Sequence, residues 1–285
     1  MHIDKSQVKA WHACSEGFRW FLDKFPQGGA YADVHGALIA DKRYDDARWL
    51  VEQMYRTFLD SAEFIQAETA VTDKMVGELT SMNHPSDQVE GENSSGNYAQ
   101  IGSSGHNAQI GSSGYNAQIG SSGYNAQIGS SGYNAQIGSS GNNAQIGSSG
   151  NNARIGSSGN NARIGSSGND AQIGSSGNDA QIGSSGNDAQ IGSSGYNAQI
   201  GSSGNNARIG SSGYNARITA TGNGSVVACA GSVGRIVLGE NGCASVPWHD
   251  GKRIRIAVAY VGENGIEANI PYYVNDEGQF VRVED

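Results

Sequence analysis

The residues best placed for chemistry stand in one column. From Ser94 to Ile218 the chain repeats a nine-residue unit, S-S-G-x-N-A-Q-I-G, and the Asn becomes an acid in three units, at Asp170, Asp179 and Asp188. A glycine-rich nonapeptide with a carboxylate at that place is how calcium-binding rolls hold their ion. Aligned on Gly102 to Ile110, the first and fourth glycines fit. The eighth place, which should be large and apolar, is Gln or Arg, and a hard cation wants more carboxylates than three units offer. No metal site is expected. His12 and Cys14, two apart in an expected helix, would face different sides, and His249 in PWHDG reads as a turn residue. No triad, ligand cluster or phosphate loop accompanies them, so the expectation is no enzyme, no catalytic residue and no cofactor.

The position before the Asn varies most. It holds Tyr115, Tyr124, Tyr133, Tyr196 and Tyr214, with His106 and otherwise Asn. Stacked tyrosines would make a contact strip for another protein; the bland alternative is that Tyr and Asn are two solvated fillers near a corner. The outward strand position is Gln except at Arg154, Arg163, Arg208 and Arg217, which join the tyrosines as candidate partner-binding residues.

These side chains need an element to carry them. Ile stands at 101 and every ninth residue on to 218, with Ala two places before each, a register that a flexible linker has no reason to keep. In an extended A-Q-I segment, Ala and Ile point one way and Gln or Arg the other. S-S-G supplies a corner, its glycines expected to take left-handed angles. Each unit is too small to bury anything alone, whereas stacking at about 4.8 Å gives a continuous ladder with a narrow apolar centre. The expected fold is therefore mainly β, a parallel β-solenoid of nine-residue repeats. Two units per coil would make a rod of roughly 34 Å, with three per coil left open. At two per coil, Arg154 would lie beside Asp170, Arg163 beside Asp179 and Arg208 beside Asp188. The Asn and Ser columns are expected to form side-chain ladders.

The flanks differ. Apolar positions recur at three and four over 5 to about 82, as in Val8, Trp11, Phe18, Phe21 and Leu22, which predicts helices. FPQGGAY at 25–31 is a break, Tyr31 or Asp33 opens a second helix, Asp45 or Asp46 a third, and the third continues through Phe64 and Val71. The segment 83–93 reads as a polar linker. Decayed repeats extend the solenoid, 94–236, and 237–285 reads as a small antiparallel meander with strands at 253–261, 266–270 and 279–283. The helical domain, 1–82, and the meander are expected to cap the two ends, where bare strand edges invite aggregation.

Charge excludes one class of partner. The net charge is −9, and the acids lie in the flanks while the repeat tract is neutral; a binder of phosphates needs a basic face, so no direct nucleic acid is expected. A DNA mimic needs a carboxylate face, which the neutral tract does not offer. Hydroxyl rows that could order ice would sit at corners. The three cysteines have no ligand spacing, and no run is long and apolar enough for a membrane. Flat, neutral Gln faces would favour self-association into a homo-oligomer.

Two stretches carry a resemblance. WHACSEGFRWFLDKFPQGGAYADVHGALIADKRYDDARWLV, 11–51, is similar to a helical module at the start of phage and prophage proteins, and GRIVLGENGCASVPWHDGKRIRIAVAYVGENGIEANIPYYVNDEGQFVRV resembles the closing domain of phage proteins of unknown function whose middles also carry nonapeptides. The repeat here departs from those versions, which are richer in Thr and Ala. The resemblance implies a phage-derived protein in the cytoplasm of a bacterial host or on a virion. Its partner would be a host, defence-related protein that it binds and blocks; the alternatives are a virion spacer and a DNA-mimic-like inhibitor.

Overall fold

The computed structural model describes residues 1–81 and 95–284, so the expected linker at 83–93 lies outside the described residues. Five helices come first: α1 (Lys5–Ala10), α2 (Ser15–Lys24), α3 (Tyr31–Ala40), α4 (Tyr44–Phe58) and α5 (Ala62–Ser81). The expected first helix is two, because the chain turns at His12, which has a left-handed φ of 58°. Cys14 caps α2, its Sγ accepting from the Gly17 N–H at 3.2 Å. The expected long third helix also divides, between Phe58 and Ala62, so that α5 can leave the bundle. The pair His2–Ile3 and Gly29–Ala30 forms a small antiparallel ribbon. The bundle has its own core around Phe21, Tyr31, Leu50, Met54 and Tyr55.

The repeats fold as a β-solenoid with two units, 18 residues, per coil. Ile164 pairs with Ile146 on one side and Ile182 on the other, and Ile173 with Ile155 and Ile191. Alternate units therefore build two opposed parallel sheets, with the Ala and Ile columns sealed between them. One sheet contains Arg163–Ser166; the other contains Arg154–Ser157.

The corner differs from expectation. The left-handed residue is the Asn or Asp, with φ of 53° to 58° from Asn107 to Asn215, not the repeat glycines. Asn and Asp tolerate this conformation because a short polar side chain bonds locally, which accounts for the acids at 170, 179 and 188. Asn125 and Asn143 each donate an amide to the Asn 18 residues before, at 3.2 and 3.1 Å. The corner glycine is needed for close approach: a Cβ on Gly159 would sit 2.0 Å from the Gly141 carbonyl oxygen. The inward Ser column makes no comparable ladder. The Ser139, Ser157, Ser175 and Ser193 hydroxyls are buried without a protein partner, since neighbours one strand spacing apart are beyond hydrogen-bond reach.

Parallel coiling runs past 236. Val233–Leu238 pairs with Ala216–Ala220, and Cys243–His249 with Val226–Cys229, both parallel. The antiparallel closure is shared between the sheets: Ile254–Tyr260 joins Cys243–His249, while Pro271–Val274 and then Phe280–Arg282 extend the other sheet. The segment 266–270 is a turn, not the expected strand.

The helical domain lies along the solenoid's side instead of stacking on its end. Helix α5 runs across six strands of one sheet, from Gln199–Ser202 back to Gln109–Ser112. One helical turn rises about 5.4 Å and one strand spacing is about 4.8 Å, so successive turns fall near successive strands.

Candidate functional site: one covered face and one open face

Each repeat strand points Gln or Arg, then Gly, away from the core, so each sheet bears a ridge beside a glycine groove. On the covered sheet the groove is filled. A Cβ on Gly165 would meet Thr72 Oγ1 at 2.3 Å, one on Gly201 the Ile65 side chain at 2.9 Å, and one on Gly111 the Leu79 carbonyl oxygen at 2.1 Å. On the other sheet the same positions, Gly120, Gly138, Gly156, Gly174 and Gly192, have nothing within 4 Å. The cover also seals the core: Ile128, Ile164 and Ile182 are 0% exposed, against 4–5% for Ile101, Ile119 and Ile173 behind the open face. Two shallow grooves follow the open face, one along Gln118, Gln136 and Gly138, the other along Gly156, Gly174 and Ser176.

Polar ties hold the covered face. Arg163 is 8% exposed, and its Nη2 donates to Glu68 Oε2 at 2.7 Å and to the Tyr31 hydroxyl at 2.9 Å, while Nε donates to Glu68 Oε1. Tyr31 donates to Glu68 Oε2 at 2.7 Å, and Arg163 Nη1 lies 2.6 Å from His35 Nε2. Burial works against the Arg163 charge, but Glu68 and the tyrosines outweigh it and the guanidinium pKa is raised. Burial first, and Arg163 second, hold His35 well below the ordinary imidazole range; burial pushes the Tyr31 phenol well above its own. Elsewhere Ser167 donates to Asp73 at 2.7 Å, Thr69 to Ser185 at 3.1 Å, and Asp60 pairs with Arg235 and accepts from Thr219 at 3.2 Å.

The nine candidate residues do not form one site. Arg163 is consumed by Glu68 inside the molecule and is withdrawn from any surface. Arg217 is half-buried and bonds the Arg56 carbonyl at 3.3 Å. Arg154 and Arg208 stand exposed on the open face. The tyrosines divide between two corners, because two units per coil send alternate units to opposite edges. Tyr115 stacks on Tyr133 at 5.3 Å on one edge; Tyr196 stacks on Tyr214 at 5.4 Å on the other, where Tyr124 lies against His106. The pairs expected between arginines and Asp170, Asp179 and Asp188 are absent among the described ion pairs, because the arginines lie on the sheets and the acids turn the corners. Glu68 had one sequence signal, an acid among the apolar positions Phe64, Ile65 and Val71.

Among the described residues no group of three His, Cys, Asp or Glu could hold a metal ion, and no helix is long and apolar enough to cross a membrane. Cys229 is buried, its thiol pushed up to about 11 by desolvation.

Known proteins match parts of the chain. A match of 58% identity over 36 residues links 13% of this chain to 3% of an ice nucleation protein of Pseudomonas syringae. A second ice nucleation protein of that species matches to the same extent. An uncharacterized protein, YdhT of Escherichia coli K12, is 39% identical over 75 residues, 26% of this chain and 28% of YdhT. The matched segments thus span less than a third of either kind of relative. No solved structure matches. Residues 1–59 match the model of the YdhT N-terminal domain, so the segment from α1 to α4 is similar to that domain.

Proposed function

We propose that the protein is a non-enzymatic interaction scaffold whose open sheet face receives a protein partner. One observation carries this reading: two sheets of the same repeat present the same ridge and groove, and the chain's own α5 fills one while the other stands empty. A flat, rigid face with exposed Gln, Arg154 and Arg208 suits a protein surface. The alternation of Gln with two arginines, without a carboxylate in the column, argues against imitation of DNA. In the phage-derived setting that the resemblance implies, a host protein belongs to the partner class; a virion spacer would use the rod's length instead.

A photo-crosslinking residue at Gln172, on the open face, tests the reading in bacterial cytosol against one at Asn151, on a corner. Trapping of a protein by the first and not the second is expected. If nothing is trapped at Gln172, or the two trap alike, the face is not a docking surface.

The match to ice nucleation proteins favours a second reading, in which the open face orders water. Its outward columns are Gln, Arg and Gly, with hydroxyls only at the corner, as at Ser158 and Ser176. A droplet-freezing assay decides it: freezing no warmer than an albumin control removes this reading.

A further inference from the structure

We propose that the partner of the open face is a second copy of this chain, joined about a two-fold axis parallel to the solenoid. The proposal rests on the reading of that face as a docking surface and names its occupant.

Self-complementarity points to it. The open face carries two outward columns separated by one inward Ile: a ridge of Gln118, Gln136, Arg154, Gln172, Gln190 and Arg208, and a groove of the glycines two residues later. Rotation by 180° about an axis running up the Ile column reverses strand direction and keeps each residue at its own height. The ridge of each copy then faces the groove of the other, Arg154 opposite Gly156 and Gln172 opposite Gly174. A two-fold axis along the strands would set ridge on ridge. Interfaces of this closed kind are self-complementary by symmetry, and side chains seated in a facing glycine groove exclude water as in a dry zipper.

The end of the sheet adds a second feature. Register carries the ridge column through Val226 and Cys243 to Tyr260, and the groove column through Ala228 and Ser245 to Val258. Tyr260 and Val258 are each 52% exposed and Val226 is 44% exposed. The same rotation sets Tyr260 against the partner copy's Val258, and Val226 against its Ala228, so apolar residues of the two columns meet at the same heights, with Cys243 facing Ser245 between them. Ile254 and Ile256, 70% and 56% exposed, extend this apolar end along the outer strand.

Size fits as well. A ten-stranded face about four residues wide offers about 600 Å² per copy, and about 1,200 Å² for the pair reaches the lower range of specific interfaces. The helical domains lie on the opposite, outer sides and do not obstruct it.

Sedimentation of the purified full chain at micromolar concentration is expected to give a dimer. The double variant Gly138→Glu/Gly174→Glu fills the groove where a Cβ meets nothing, so its circular dichroism should match the parent while it sediments as a monomer. Mixing Arg154→Cys with Gly156→Cys chains under mild oxidation should give a crosslinked dimer that neither variant gives alone. A monomeric parent overturns the proposal, as does a filled variant that stays dimeric or a mixture that does not crosslink beyond the single variants. A monomeric parent alongside a different protein trapped at Gln172 would overturn only the choice of partner and leave the docking face standing.

Discussion

Arg163 and Glu68, 95 positions apart, meet guanidinium to carboxylate at the junction of α5 and the solenoid, 8% and 1% exposed. Five other units of the covered sheet have Gln in that column, at 109, 127, 145, 181 and 199, before Arg217 ends the run. Replacing Arg163 by Gln therefore restores the repeat and leaves Glu68 buried without its cation. A broken buried pair costs roughly 3–5 kcal/mol. Urea denaturation of Arg163→Gln should record a loss of that order, and Arg163→Gln/Glu68→Gln should regain most of it. Equal losses for the single and double variants would mean the pair is not coupled.

The same glycine position should give opposite results on the two sheets. Gly165→Val drives two methyls into Thr72, and overpacking costs about 1–3 kcal/mol. Gly174→Val meets open space and adds a β-branched residue to a strand, which is expected to be neutral or slightly stabilising in dilute protein. Melting temperatures of the two variants, measured side by side, check the assignment of covered and open faces.

His35 makes the junction sensitive to acid. Its folded pKa lies below the unfolded value near 6.5, so the unfolded chain takes up the proton first. Stability is full above about pH 6.5 and falls as the pH drops, by about 1.4 kcal/mol per unit, until the folded form protonates. The groups facing the imidazole include Arg163 and Tyr31, and Arg163 opposes the added charge. Denaturation at pH 7.5, 6.5 and 5.5 should show this slope in the parent and a flatter one in His35→Gln.

The corner column should tolerate only residues that accept a positive φ. Asn152 has a φ of 57°, and an ordinary side chain there costs about 1–2 kcal/mol. Asn152→Ala should lose about that much, whereas Asn152→Asp, which repeats the solution at 170, 179 and 188, and Asn152→Gly should lose less. Thermal unfolding by circular dichroism ranks the three.

Repeat deletions should obey parity. Removing nine residues, Gln172–Ala180, sends every later unit to the opposite sheet, so Thr219 and Arg235 leave the face where Asp60 waits while Arg163 stays. Removing 18, Gln172–Ala189, keeps them on that face and moves them by one strand spacing, about 4.8 Å. Proteolysis should release the helical domain much faster from the first variant. Equal rates would mean that Asp60 and its partners do not hold the junction.

The sequence by itself determined the solenoid. A local period carries the inward Ala and Ile, the corner and the stacking, and every unit solves the same problem in the same way. It also marked the helices, through apolar spacing in the first 80 residues, although the turns at His12 and before α5 escaped it because they answer to packing. What only the tertiary structure decided is how identical units come to differ. Gly165 and Gly174 sit in the same local sequence, yet one touches α5 and the other nothing. Arg154 and Arg163 occupy the same repeat position, yet one is in solvent and the other is locked to Glu68. Those differences arise because two units per coil put neighbours on opposite faces, and because one helix, tied to distant coils through Glu68 and Asp60, can cover only one of them.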